Sequence, residues 1–138
     1  MKSFVRYYLP AILWAILIFT LSSFPRLSPP PVGLKLSDKV YHFIEFAIFG
    51  LLLIRALQYL SGAARQRSAI LWAALCGILW GALDETHQLF VTGREASVLD
   101  ALADAAGVTF VAVVLWCWHT RRSAGDRKNK PPGQRRNS

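Results

Sequence analysis

Residues 81–107, GALDETHQLFVTGREASVLDALADAAG, gather Asp84, Glu85, His87, Gln88, Arg94, Glu95, Asp100 and Asp104 between two almost wholly apolar segments. A smaller group precedes them in SDKVYHFIEF, where Asp38, Lys39, His42 and Glu45 fall within eight residues. Carboxylates and imidazoles at such density can move protons, hold amines or ligate metals. Spacing sharpens the picture. Asp38, His42 and Glu45 stand at i, i+4 and i+7, one side of a helix, and Asp84, His87 and Gln88 share a side of another. Asp100 and Asp104 repeat the pattern. Arg94 suits bidentate capture of a phosphate or carboxylate, while Asp84 and Glu85 suit an amine. His42 with Glu45, or Asp84 with His87, has helical ligand spacing, but HExxH is absent and no decisive ligand set appears. The expectation is therefore no metal and no cofactor. There is no G-x-S-x-G or Walker A motif, and nothing marks Ser22, Ser23 or Ser97 as a nucleophile.

The elements that must carry these groups are unusually apolar. Charged residues make up 17% of the chain, below the quarter or so of soluble domains. A bilayer-spanning helix needs about 20 mostly apolar residues, and four segments qualify: Tyr8 to Phe24, Val40 to Leu60, Ala69 to Val91, and Val98 to Trp118. The first, YLPAILWAILIFTLSSF, has no charge on any face. A surface helix of a soluble bundle needs a polar stripe, so the membrane reading wins. No small-x-small cleavage site follows that segment, which favours a retained helix over a signal peptide. Lys2, Arg6, Arg55, Arg65, Arg67 and the tail from Arg121 to Arg136 fall on one side of the membrane. By the positive-inside rule that side is cytoplasmic. The expected fold is all-α, a membrane-embedded bundle of four transmembrane helices with both termini cytoplasmic. Residues 1–120 form the bundle and residues 121–138 a basic, disordered cytoplasmic tail. A role for that tail at anionic lipid is expected. Nucleic acid is not, because no basic folded module or set of stacking aromatics is present.

With this topology Asp38, His42, Glu45, Asp84, Glu85, His87, Glu95, Asp100 and Asp104 all fall toward the outer end. At about 1.5 Å per residue, Glu45 and Asp84 each lie roughly 10 Å inward. Ionisable groups at that depth face a bundle interior or a wet cavity. Mutual pairing is the plain reading for any one of them. It does not serve for the set, since seven carboxylates there face at most four cations, Arg26, Lys35, Lys39 and Arg94. Gly77 and Gly81 form a GxxxG pair that admits a close neighbour helix. Cys76 and Cys117 read as buried, inert thiols, and the five Trp residues mostly as lipid-facing or interfacial anchors.

LSSFP, DKVYHFIEFAIFGLLL and DETHQLFVTGREASVLDALADAAGV, in this order and spacing, resemble the VanZ-like membrane proteins across roughly residues 10–118. The matching positions are Ser22, Pro25, Asp38, Lys39, His42, Phe46, Gly50, Asp84, Glu85, Gln88, Phe90, Arg94, Asp100 and Gly107. Where the family often carries Asn, this chain has Asp104, and an ionised carboxylate only accepts hydrogen bonds. The resemblance implies a multi-span envelope protein, by extension of the bacterial cytoplasmic membrane, with a link to teicoplanin-type glycopeptide resistance. Two functions remain open. One is an external pocket lined by Asp38, Lys39, His42, Glu45, Asp84, Glu85, Gln88, Arg94, Asp100 and Asp104, binding a membrane lipid, a lipid-linked wall precursor or another cell-surface ligand. The other is a membrane-embedded enzyme acting on a lipid headgroup through the same carboxylates and histidine. A conducting protein is the weaker third, because no ionisable chain continues through the cytoplasmic halves.

Overall fold

The structure, a computed structural model, describes residues 1–24, 37–62, 65–94 and 96–129. The segment with Arg26 and Lys35, residue Glu95, and the tail beyond Asn129 lie outside the described residues. Within them the chain is helical without strands: α1 (Lys2–Tyr7), α2 (Leu9–Ser23), α3 (Ser37–Ser61), α4 (Gln66–Gln88) and α5 (Val98–Asn129).

Local chemistry sets the breaks. Pro10 stands in the first turn of α2, where its missing N–H costs nothing. Tyr8 between α1 and α2 keeps right-handed helical angles, so the two follow one another almost without interruption. Gly62, with φ +66°, ends α3, the left-handed conformation that closes helices. At α5 the Ser97 hydroxyl accepts the Asp100 backbone N–H at 3.4 Å, an N-cap. Asp38 and Asp100 occupy the first turns of α3 and α5, where the helix dipole favours an anion.

α3, α4 and α5 are each long and apolar enough to cross a membrane; α2 alone, at 15 residues, is shorter than those three. The expected disordered tail is partly replaced by structure, because α5 continues to Asn129. The bundle is apolar outside, and a polar set is buried within it beside an apolar core. Leu71, Trp72, Leu79, Leu83, Phe110 and Val113 are exposed, whereas Ser22, Asp84, Glu85, Gln88, Asp100 and Asp104 are buried. A water-soluble protein shows the reverse. The expected burial of the thiols fails for the same reason: Cys76 and Cys117 are both free and exposed, on the outer surface where a bilayer supplies the apolar partner. Trp72 and Trp118 are exposed as anchors should be, whereas Trp14, Trp80 and Trp116 are half-buried, Trp14 and Trp80 against the core.

α3 and α5 run parallel at a nearly constant offset, with Lys39–Asp100 and Gln58–His119 both 61 residues apart and His42–Asp104 62 apart. Glycine makes the contact possible. A β-carbon on Gly107 would collide with the Phe43 carbonyl oxygen and come within 2.9 Å of the Ala47 nitrogen. The Gly77 and Gly81 pair also works as expected: β-carbons there would meet Val108 and Asp104 of α5 at 3.0 Å. Ile18, Phe46, Phe49 and Val108 fill one core cluster, and Ile54, Ile70, Ala73 and Ala112 a second.

Overpacking a close contact costs about 1–3 kcal/mol. Gly107→Ala should therefore lower the thermal midpoint of the detergent-purified protein markedly. Gly125→Ala, where nothing lies within 4 Å of a new β-carbon, should leave it unchanged or slightly raised. Equal midpoints for the two variants would contradict the close helix approach.

Candidate functional site

The polar residues collect where α2 and α4 end and α3 and α5 begin. Asp104, wholly buried on α5, accepts or shares the proton of His42 Nδ1 at 2.9 Å. Lys39 pairs with Asp100 and lies 4.0 Å from Asp38. On α4, adjacent Asp84 and Glu85 are tied by Gln88, whose Nε2 donates to Asp84 Oδ2 at 3.1 Å and to Glu85 Oε1 at 3.4 Å. The Ser97 backbone N–H donates to Glu85 Oε2 at 2.8 Å, fastening α4 to the start of α5. The Ser22 hydroxyl donates to Asp84 Oδ2 at 2.6 Å and so fastens α2 to α4. Two buried carboxylate oxygens, Asp84 Oδ1 and Asp104 Oδ2, have no hydrogen-bond partner among the described residues. Such oxygens are costly to leave unsatisfied.

The ten residues singled out from the sequence divide into two sets. Asp38, His42, Glu45, Asp84, Gln88 and Arg94 line a cavity of about 370 Å³ between α2 and α3. Trp14, Leu17, Leu21, Ile44 and Ile48 complete it as an apolar wall. Lys39, Glu85, Asp100 and Asp104 are absent from that lining and instead join α3, α4 and α5. His42 belongs to both sets. Trp14 crosses from α2 to donate its indole N–H to the Glu45 carbonyl at 3.0 Å.

Arg94 differs from its expected role as a bidentate anion clamp. Its Nη2 donates to the Leu21 carbonyl at 2.8 Å and its Nε to the Phe24 carbonyl at 3.3 Å. Both carbonyls belong to the C-terminal end of α2, where a cation satisfies otherwise unpaired acceptors. Nη1 keeps its hydrogens for the cavity. His87 leaves the polar cluster altogether, sharing a proton with Ser23 at 3.0 Å and lying 4.5 Å from the Phe19 ring centre. Ser22 and Ser97 were the residues that sequence reasoning undervalued. Ser97 followed by Asp100 before an apolar run is a capping signature that points to its place; for Ser22 the signal is its match to the family pattern LSSFP, which gives no partner.

Two trios bring metal-competent atoms within 4.8 Å of one another: Asp38, His42 and Asp100, and His42, Glu85 and Asp104. Each draws its ligands from two or three helices, which is why no contiguous motif announced them. The opposite end of the bundle is basic and aromatic. Arg55 lies over the Tyr7 ring at 5.3 Å, and Arg67 and Arg122 lie over Trp116 and Trp118 at 5.5 Å.

Fold and site together define a small helical membrane protein with a polar cluster enclosed at one end. Residues 7–119 match the family described as VanZ/LLP1, and the chain belongs to that family. It is also similar to the uncharacterized protein C11E3.10 of Schizosaccharomyces pombe, 28% identical over 93 residues, 67% of this chain and 55% of that one. The chain thus spans about half the length of the curated relative it matches. No solved structure matches.

Ser22→Ala should leave Asp84 Oδ2 with Gln88 as its one remaining donor, beside an Oδ1 that has none, and lower stability by about 1–2 kcal/mol. Ser23→Ala, at a half-buried hydroxyl whose partner His87 is no buried carboxylate, should cost less than about half of that. Thermal unfolding in one detergent distinguishes the two, and equal losses would deny Ser22 its part in the buried network.

Proposed function

We propose that this chain is a four-span protein of the bacterial cytoplasmic membrane whose outer cavity binds the headgroup of a membrane lipid or lipid-linked envelope molecule. The carrying observation is the cavity itself. Its wall of Trp14, Leu17, Leu21, Ile44 and Ile48 suits an acyl or isoprenoid chain, and its polar end offers His42, Glu45, Asp84 and Arg94. Sites of this kind are largely apolar with a few placed polar groups. The acidic side chains favour an amine on the ligand, and the Nη1 edge of Arg94 a phosphate or carboxylate. A part in teicoplanin-type resistance follows from the family resemblance and is consistent with a site on the outer face.

The fourth span is α1 with α2, 22 residues from Lys2 to Ser23, rising about 33 Å, against a hydrocarbon core of about 30 Å. The basic end carries Arg6, Arg55, Arg65, Arg67 and Arg121 and faces the cytoplasm. Both termini then lie inside, and the cavity outside.

The His42–Asp104 pair favours a second reading, catalysis on the same headgroup. A buried carboxylate fixes the imidazole's orientation and tautomer, and His42 reaches the cavity where a substrate proton would lie. In that reading His42 is the general base. Steady turnover of envelope lipids, abolished by His42→Ala, would select catalysis over binding.

Lipids carried through purification should be specific. Glu45→Gln with Asp84→Asn should deplete the lipid retained by the wild-type chain at least tenfold, as read by mass spectrometry, while helical circular dichroism stays unchanged. An unaltered lipid complement would refute the binding reading. For the topology, single cysteines at Ser61 or Thr92 in a chain lacking Cys76 and Cys117 are exposed to a membrane-impermeant thiol reagent on intact cells. Labelling is expected at Thr92 alone. Labelling at Ser61 alone would invert the protein and remove the case for an external ligand.

A further inference from the structure

We propose that His42, Glu85 and Asp104 form a site for a divalent transition cation of zinc or manganese chemistry, enclosed between α3, α4 and α5. The site goes beyond the lipid-binding reading and stands without it. One ring nitrogen of His42 and one carboxylate oxygen from each of Glu85 and Asp104 lie within 4.8 Å of one another. Each comes from a different helix, and the helices are held by glycine contacts at Gly81 and Gly107. Metal–ligand bonds of about 2.0–2.2 Å require the three side chains to draw inward from these separations.

A second observation points independently to a bound cation. Asp104 is wholly buried, yet its Oδ2 has no partner. Asp104 does not line the neighbouring cavity, so a headgroup there does not satisfy that oxygen. A small ion seated against the carboxylate does.

Charge balance agrees. Among the described residues, Asp38, Glu45, Asp84, Glu85, Asp100 and Asp104 crowd this end, with Lys39, Arg94 and, when protonated, His42 as the cations. Lys39 is committed to Asp100 and Arg94 to the carbonyls of α2. A buried carboxylate either takes up a proton or finds a partner charge, and a dication on His42, Glu85 and Asp104 supplies the second.

The ligand chemistry narrows the ion. Imidazole suits zinc and other later transition metals, and carboxylates suit manganese; one nitrogen with two oxygens accommodates either. Three protein ligands leave further coordination to water, and His42 borders the cavity from which water enters. The overlapping trio of Asp38, His42 and Asp100 is the poorer site, because the Lys39 ammonium already pairs with Asp100.

The test uses the full chain in detergent without added lipid, so its outcome does not bear on the lipid reading. After incubation with zinc and desalting, elemental analysis should find about one zinc per wild-type chain. Manganese, followed by electron paramagnetic resonance, should bind and be displaced by zinc. Glu85→Gln and Asp104→Asn keep shape and remove charge; each should weaken the metal at least tenfold, whereas His119→Asn, which alters a histidine paired with Gln58 at the opposite end of the bundle, should bind as wild type does. Where a variant fails to fold, by circular dichroism or gel filtration, the wild-type chain decides alone. Its melting temperature should rise with zinc and fall back with EDTA. Wild-type protein that takes up neither metal above empty micelles, or that melts at one temperature throughout, overturns the proposal. So does undiminished binding by folded Glu85→Gln and Asp104→Asn chains.

Discussion

Among the described glycines the tightest approach lies where Gly107 rests against the Phe43 carbonyl, with no room for a β-carbon between α5 and α3. Much of the polar chemistry depends on that approach. Asp104 sits one turn before Gly107, and His42 directly precedes Phe43, so the same contact that joins the backbones brings the imidazole and carboxylate together. Lys39 and Asp100 follow one turn further toward the helix starts. α4 then completes the arrangement through Gly77 and Gly81, which admit Val108 and the Asp104 side chain. In lipid, where helices gain nothing from hiding apolar surface from one another, such close van der Waals contact is the main attraction available. The glycines therefore support both the association of the helices and the register of their charges.

Much of this was legible because helical periodicity is indifferent to solvent. Asp38, His42 and Glu45 were read onto one face of α3, and all three line the cavity. The glycine seam on α4 was visible as a spacing. The failures share a cause: sequence pattern gives a face but not what the face meets. His87 shares a side with Asp84, yet at the margin of that face it turns to Ser23 and Phe19 of α2. Arg94 suits an anion clamp by its type, and the carbonyl ends of α2 that take up two of its donors leave no mark in the sequence. Cys76 was assigned to the interior by a rule that holds in water and inverts in a bilayer. Asp104, a departure from the family's frequent Asn, proves to be the most deeply buried of the acids.

The bundle carries unlike chemistry at its two ends. Carboxylates meet at one end, while arginines lie over Tyr7, Trp116 and Trp118 at the other. Aromatic rings suit the interface between headgroups and acyl chains, and a guanidinium stacked on one keeps its hydrogens for phosphate. The acidic end has no such outlet. Its charges are turned inward, against one another and against hydroxyls, amides and backbone N–H groups, and this inward turn is what makes a chemical site out of a helix terminus.

The outward-facing leucines, valines and tryptophans have a thermodynamic consequence. A soluble protein exposes apolar surface to water when it unfolds, and its heat capacity rises accordingly. Here the same side chains face hydrocarbon whether the helices are packed or apart. Separation of the helices within a bilayer therefore wets little new apolar area. The strong curvature of stability with temperature that characterises soluble domains is lost, and with it the weakening in the cold that a fading hydrophobic effect would bring. What changes on separation is the fit of glycines against backbone and the fate of the buried carboxylates. Those contacts carry enthalpy and charge rather than hydration, so the bundle's tolerance of heat is tied to ionisation and packing at one end of its helices.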